Sequence, residues 1–186
     1  MKKTILFVFA AVATAALLSY SLKPKEPAFL SPDGYIACYS HAIKDQIELD
    51  ANLPGFAKMH PYPTYYKLHN ATGSMISYPS PDGTDAHAYF IKSKKKSNKW
   101  LLVIQEWWGL NNNIKREAET FSSELGDVNI LALDLYDGKV ATTPDSAMVY
   151  MKSAKSERLE SIVKGAIAFS GEKAKIYTVG WCFGGG

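Results

Sequence analysis

The strongest chemical signal in the sequence lies in residues 180–186, Gly-Trp-Cys-Phe-Gly-Gly-Gly. They follow Lys175–Val179, a run of β-branched and aromatic residues that predicts a short buried strand. A strand that runs into Gly-x-Cys-x-Gly-Gly is typical of a nucleophile elbow, a sharp turn that presents the nucleophile at the strand end. Such a turn leaves little room beside the nucleophile, and Gly180 and Gly184 would supply it. We therefore interpret Cys182 as a candidate nucleophile.

Residue types at key positions argue against two simpler interpretations of the same stretch and leave two others open. A phosphate-binding loop needs lysine where Gly186 stands, and a dinucleotide fingerprint needs glycine where Cys182 stands. A buried structural cysteine stays open, because free cysteine is often a small apolar core residue. A disulfide with Cys38 is the other alternative for an exported chain. Since an elbow thiol is useful only when free, we expect two unpaired cysteines.

A second chemical signal is the segment 105–111, Gln-Glu-Trp-Trp-Gly-Leu-Asn. A thiol is nucleophilic only when it is deprotonated, and a carboxylate within reach can take its proton. Glu106 could be an ordinary solvated carboxylate, but burial between a strand and two tryptophans would raise its pKa toward that of a working base. The backbone N–H groups of Phe183 and Trp107 are predicted to form the oxyanion hole.

The elements that must position these residues alternate along the second half of the chain. Strands are predicted over 74–78, 85–91, 100–104, 128–133 and 175–179, and helices over about 111–125, 144–155 and 159–170. The basic loop 92–99 is expected to be a hairpin tip. The later part of this series implies a parallel sheet with right-handed crossovers, with Glu106 and Cys182 facing one crevice. The predicted fold class is α/β, with a largely parallel sheet and flanking helices.

Three segments together resemble the dienelactone hydrolase family of α/β-hydrolases. They are 105–111, 134–138 (Asp-Leu-Tyr-Asp-Gly) and 180–185, and the resemblance covers about residues 73–186. It implies the N-terminal part of an α/β-hydrolase fold and a carboxymethylenebutenolidase-like enzyme that cleaves lactone or ester bonds through an acyl-cysteine, with no metal or cofactor. It also implies that Glu106 holds the Cys182 thiol at rest and helps to generate the thiolate. Arg116 and Arg158 match no substrate-binding motif.

The sequence departs from that family in the order of its catalytic groups. Its four histidines, at 41, 60, 69 and 87, all precede Cys182, whereas α/β-hydrolases place the triad histidine after the nucleophile. His41 and His60 lack metal-binding company and are expected on the surface. We therefore expect an N-terminal portion of such an enzyme, truncated just after the elbow and catalytically inactive or nearly so. An exported binding module and an acyl-transferring enzyme are the alternatives.

Residues 1–22 predict export. Lys2 and Lys3 precede an uncharged apolar run over 5–18, which is typical of a signal peptide. The run can be extended to 4–22, nearly enough to cross a bilayer, so an N-terminal anchor is the alternative. Residues 23–72 are predicted to be a linker and N-terminal extension before the domain at 73–186. The net charge of +3 owes two charges to Lys2 and Lys3, so we exclude nucleic acid as a partner and expect a small-molecule substrate. The expected location is periplasmic, extracellular or anchored, with membrane contact only through this segment.

Overall fold

The computed structural model describes residues 55–185, which form a five-stranded mixed sheet flanked by helices. The strands are β1 (Ser74–Tyr78), β2 (Ala86–Ile91), β3 (Lys99–Ile104), β4 (Asn129–Leu133) and β5 (Lys175–Gly180). The helices are α1 (Phe56–Met59), α2 (Asn112–Leu125), α3 (Pro144–Ser153) and α4 (Ser156–Ser170), and a 3-10 turn, Cys182–Gly185, follows β5. Within residues 55–185, no helix has the length and apolar character to cross a bilayer. The export segment predicted at 1–22 lies outside this range, as do Cys38 and His41.

The strands are ordered β1-β2-β4-β3-β5. β3 pairs in parallel with both β4 and β5, whereas β2 pairs antiparallel with β1 and β4. The predicted α/β class is confirmed, and four of the five strands run in one direction because β1 is antiparallel to β2.

The prediction of a hairpin tip at 92–99 is wrong, because β4 lies between β2 and β3. The physical reason is the composition of β4, Asn-Ile-Leu-Ala-Leu, which is buried at all five positions. A strand that is apolar on both faces is stabilised by neighbours on both edges and by cover on both faces. Insertion between β2 and β3 supplies both edges, and the basic loop therefore crosses over β4 instead of turning back on itself.

Each face of the sheet carries its own core. On one face, α3 and α4 pack their buried residues, among them Met151 and Ile162, against Leu102 and Leu131. On the other face, α2 packs Ile114 and Ala118 against the alternate positions of the same strands. Successive side chains of a strand point to opposite faces, so β3 and β4 contribute to both cores. The sheet is therefore a rigid central layer from which the loops at its end project.

Local capping interactions set the ends of the helices. The Asn111 side chain accepts hydrogen bonds from the backbone N–H groups of Asn113 (3.0 Å) and Ile114 (3.1 Å), which caps α2. Gly126, with φ 69°, ends it. Thr143 caps α3 in the same way, and Pro144 occupies the first turn.

Arg158 of α4 joins two loops on one face of the sheet. Its guanidinium contacts the carboxylates of Asp82 (3.0 Å) and Asp137 (2.7 Å). It also donates to Ser80 Oγ and to the backbone carbonyl oxygens of Thr84 and Asp85. The guanidinium is thus held by the protein itself, so Arg158 is a structural clasp between the β1–β2 turn and the loop after β4.

Candidate active site

The loops that carry Glu106 and Cys182 meet at the point in the sheet where the order of successive parallel strands reverses. Helix α2 leads from β3 to β4 on one side, whereas α3 and α4 lead from β4 to β5 on the other side of β3. Ligands of open α/β sheets bind at such switch points, beyond the carboxyl ends of the strands. β3 and β5 pair from Lys99 with Lys175 to Ile104 with Gly180. Glu106 and Cys182 each follow two residues later and therefore face one crevice, as predicted.

The turn after β5 has the strained geometry of an elbow. Cys182 has φ 52°, a left-handed conformation that is uncommon for a residue with a Cβ atom. The Gly184 N–H donates to the Trp181 carbonyl oxygen at 2.9 Å, which closes the turn. A Cβ atom on Gly184 would lie 2.6 Å from the Gln105 carbonyl oxygen, and one on Gly180 would overlap the Gly184 carbonyl oxygen. Both glycines are therefore required by close backbone approach, as the sequence indicated.

Aromatic side chains anchor the elbow on both sides of the sheet. Trp181 stacks on Phe121 of α2, with ring centroids 6.2 Å apart. Phe183 packs against Tyr136 on the opposite face, with centroids 5.5 Å apart. Cys182 lies between these two contacts and is a free thiol, half-buried at the end of the sheet. The nucleophile candidate is thus fixed by its immediate neighbours in the chain.

The Cys182 thiol lies among the other three predicted site groups. Burial raises its pKa, and hydrogen bonds from the backbone N–H groups of Phe183 and Trp107 oppose that effect. The negative charge of Glu106 raises the pKa further. The structure therefore brings together Cys182, Glu106 and the two N–H groups. Because the net effect is a raised pKa, the thiol keeps its proton at neutral pH.

Glu106 is half-buried rather than solvated. Burial raises the pKa of its carboxyl, an electrostatic interaction with His60 lowers it and one with Glu117 raises it. The direction agrees with the expectation for a group that could exchange a proton near neutral pH. Burial is the main cause of the raised pKa of both Glu106 and Cys182, and the Glu106 charge adds to it at the thiol.

His60 is placed differently from the prediction. It is half-buried at the end of α1, where its ring stacks on Phe56 with centroids 4.0 Å apart and lies edge-on to Trp107 at 6.1 Å. Its Nδ1 donates to the Phe56 carbonyl oxygen at 2.9 Å. The expectation of a surface histidine overlooked α1, a four-residue helix whose length is too short to produce a periodic pattern. Phe56 packs on Trp107 and thereby brings His60 into the electrostatic surroundings of Glu106.

A cavity of about 420 Å³ opens beside Glu106. Trp181, the first turns of α2 and the extended segment around Pro63 line it. Arg116 contributes a positive charge, but its Nη2 is 2.9 Å from Glu117 Oε1 and its guanidinium lies 4.9 Å from the Tyr66 ring centroid. The residues before 73, predicted only as an extension, thus supply one wall of this cavity. No repeating pattern in that segment could have indicated this contact.

Within 55–185, no three His, Cys, Asp or Glu side chains form an arrangement that could hold a metal ion.

The fold and site define an α/β protein with a cysteine elbow at the switch point of its sheet. Residues 86–186, more than half of the chain, match the Dienelactone hydrolase family. The chain belongs to that family, as its motifs indicated.

The similarity to individual relatives extends over part of each protein. The chain is 32% identical over 124 residues to "Protein usf" of Aquifex pyrophilus, and the aligned region makes up 61% of this chain and 52% of that protein. It is 28% identical over 123 residues to a protein of Aquifex aeolicus (strain VF5) provisionally named a carboxymethylenebutenolidase, with coverage of 61% and 52%. A provisionally assigned dienelactone hydrolase structure from Klebsiella pneumoniae subsp. pneumoniae MGH 78578 matches with 17% identity and a TM-score of 0.48, covering 60% of this chain and 50% of that chain. The chain spans about half the length of the curated relatives it matches.

Proposed function

We propose that this protein cleaves ester or lactone bonds of small molecules, with Cys182 as its nucleophile. One observation carries the proposal: a strained elbow holds the Cys182 sulfur against two backbone N–H groups and near a half-buried carboxylate. Membership of a hydrolase family supports this chemistry, and the name of the Aquifex aeolicus relative agrees with a lactone substrate.

The proposed acylation step moves one proton and exchanges one bond. Glu106 accepts the thiol proton, and the Cys182 sulfur attacks the carbonyl carbon of the substrate. Negative charge then develops on the carbonyl oxygen, where the N–H groups of Phe183 and Trp107 stabilise it. When the intermediate collapses, the carbon–oxygen bond of the ester breaks, and the leaving alkoxide takes the proton that Glu106 accepted from the thiol. The acyl group remains on Cys182 as a thioester.

The resting state follows from the same groups. The N–H groups of Phe183 and Trp107 donate to the sulfur before reaction and become available to the oxyanion as charge leaves the sulfur. Burial and the Glu106 charge keep the thiol protonated until a substrate is bound. We propose that this arrangement limits reactions of the thiol with other electrophiles, because only the thiolate is a strong nucleophile.

Hydrolysis of the thioester needs a water molecule that is activated by a base. The described groups around Cys182 account for the acylation step. An acyl-transferring enzyme is the alternative that a long-lived acyl-cysteine would favour, and an exported binding module is the alternative without any acyl-cysteine.

The test measures acylation and turnover separately. The purified protein is mixed with p-nitrophenyl acetate, nitrophenol release is followed, and the intact mass is recorded. We expect one acetyl group per chain, absent in Cys182→Ala and retained in Cys38→Ala, the matched control at the other cysteine. Release beyond one equivalent indicates hydrolysis and contradicts the expectation that this sequence is catalytically inactive or nearly so, whereas a single burst indicates a stable acyl-enzyme. An unmodified Cys182 in a folded protein contradicts the proposal.

We also propose that the protein is exported through residues 1–22 and stays in the periplasm, outside the cell or at the membrane. Lys2, Lys3 and the apolar run that follows support this proposal. N-terminal sequencing of the protein from its own cell distinguishes the outcomes. A new N-terminus in the mature protein indicates a cleaved signal, an intact one in the membrane fraction indicates an anchor, and an intact one in the cytoplasm contradicts export.

A further inference from the structure

The tyrosines in the core differ in how their hydroxyl groups are satisfied. Tyr78 and Tyr89 are buried, and their hydroxyls donate to the Ile162 carbonyl oxygen and to Glu119 Oε1. Tyr136 is 5% exposed, yet its hydroxyl has no hydrogen-bond partner among residues 55–185. Leaving a buried hydroxyl unpaired disfavours folding by about 1–3 kcal/mol. An unpaired buried donor therefore indicates a partner that is absent from the resting structure.

Tyr136 lies directly beside the elbow. Its ring packs on Phe183, the residue that follows the nucleophile, and burial, with a smaller contribution from the charge of Cys182, raises the pKa of its hydroxyl. The loop is held in place because the Asp134 carboxylate accepts hydrogen bonds from the N–H groups of Tyr136 (3.1 Å) and Gly138 (2.7 Å). Gln105 Oε1 accepts the N–H of Leu135 at 3.2 Å, which ties this loop to the one that carries Glu106.

We propose that the Tyr136 hydroxyl donates a third hydrogen bond to the Cys182 sulfur when the sulfur is ionised. The O–H bond stays intact, because tyrosine is a much weaker acid than the thiol, so the hydroxyl stabilises the thiolate without a proton transfer. As a catalytic residue for ester cleavage, Tyr136 rests on the proposed function. The hydrogen bond to the sulfur does not, since it can be measured on the thiol alone.

Other charged and titratable groups face this pair. Glu106 reaches Cys182 from the loop after β3 and opposes ionisation. From α3, the Tyr150 ring packs on Tyr136 with centroids 6.2 Å apart, and the Lys139 ammonium lies 5.7 Å from the Tyr150 ring centroid. Glu106 and Tyr136 thus act on the sulfur in opposite senses, one through a negative charge and the other through a donor.

The experiment compares the thiol in the wild type, Tyr136→Phe and the matched control Tyr150→Phe. The rate of Cys182 alkylation by iodoacetamide and the ultraviolet absorbance of the thiolate are measured against pH, with Cys38 replaced by alanine throughout. Because a hydrogen bond to a charged group is lost, Tyr136→Phe should react about tenfold more slowly at a pH below the pKa of the thiol. The control should stay within twofold of the wild type.

The melting temperature distinguishes a hydrogen bond to the sulfur from a role of the Tyr136 hydroxyl in packing. Tyr136→Phe removes an unpaired hydroxyl and keeps the ring, so the melting temperature should stay the same or rise. A lower melting temperature with an unchanged thiol titration overturns the proposal and assigns the hydroxyl to the core or to the adjoining cavity of about 200 Å³. An unchanged titration at unchanged stability overturns it as well.

A second measurement keeps the hydroxyl in place. Incorporation of 3-fluorotyrosine makes every tyrosine a stronger donor, so alkylation of Cys182 should become faster at the same pH, and no increase contradicts the proposal even if Tyr136→Phe does not fold. Acetylation by p-nitrophenyl acetate is recorded on the same samples. If the wild type is not acetylated, the proposed function fails, but the titration still decides whether Tyr136 contacts the sulfur.

Discussion

Replacing Glu106 by glutamine tests the electrostatic coupling at the centre of the site. The substitution keeps the shape of the side chain and removes its negative charge, which raises the pKa of the Cys182 thiol in the wild type. Without that charge, the thiol should ionise more readily. We therefore expect Glu106→Gln to be alkylated by iodoacetamide faster than the wild type at pH 8.

The expected size follows from Coulomb's law. Two unit charges about 6 Å apart interact with roughly 2.8 kcal/mol at an effective dielectric constant of about 20, and with roughly 0.7 kcal/mol at about 80. Both groups are half-buried, so an intermediate value of about 1.4 kcal/mol is appropriate. That energy corresponds to about one pKa unit and to about a tenfold faster reaction at a pH below the pKa of the thiol.

The pH dependence of the alkylation rate tests the direction of this effect independently. Burial raises the pKa of Glu106, and the carboxyl carries its charge only above that pKa. The rate ratio between Glu106→Gln and the wild type should therefore be about ten at pH 8 and approach one as the pH falls through the pKa of Glu106. Glu117→Gln is the matched control, because Glu117 also lines the cavity but does not contribute to the pKa of Cys182.

The Glu106→Gln variant also distinguishes the two roles proposed for Glu106, namely the charge that opposes ionisation of the thiol and the base that accepts the thiol proton. Acetylation by p-nitrophenyl acetate should slow by about 10²-fold or more if the carboxylate accepts the thiol proton during the reaction, although alkylation becomes faster. If alkylation is unchanged or slower in a folded Glu106→Gln protein, the charge of Glu106 does not control ionisation of the thiol, and the proposed electrostatic coupling is refuted.

Two further variants test the scaffold by urea unfolding. Gly184→Ala should lose at least about 2 kcal/mol of stability, because its Cβ would lie 2.6 Å from the Gln105 carbonyl oxygen, whereas a Cβ on Gly185 meets nothing closer than 3.4 Å. Equal losses in Gly184→Ala and Gly185→Ala would contradict the close packing of the elbow. Arg158→Lys should lose about 2–3 kcal/mol, since lysine cannot reproduce the planar donor set of a side chain that is 16% exposed. Arg116→Lys, at a side chain that is 43% exposed, should change stability by less than about 0.5 kcal/mol, and a similar loss in both would refute the clasp.

Local patterns in the sequence predicted the parallel core of this fold well. The strand over 100–104 and the helices that begin near 111 and 144 depend on residues close to each other in sequence, and each appears where it was predicted. The same holds for the elbow, because its glycines are required by backbone contacts within a few residues and with the adjacent strand.

Predictions failed where a contact joins distant parts of the chain. The hairpin expected at 92–99 assumed that consecutive strands pair, but the doubly buried β4 takes the place between them. His60 comes to the site because a single buried aromatic residue, Phe56, packs on Trp107 about fifty residues later. Neither arrangement gives a periodic pattern in the sequence. The position of β4 depends on competition between strands for neighbours, and the position of His60 depends on a helix of only four residues.

The topology explains why one thiol is subject to opposing influences. β3 has β4 on one side and β5 on the other, so the loops after all three strands converge on the same point. β5 presents the sulfur, the loop after β3 brings the charge of Glu106 and the N–H of Trp107, and the loop after β4 brings the Tyr136 hydroxyl. Substrate binding needs to alter only one of these influences to release the thiolate, and Glu106, which lines the cavity, is within direct reach of a substrate bound there. On this argument Glu106 controls when the thiol ionises, whereas Tyr136 and the two N–H groups determine how stable the thiolate is once it forms.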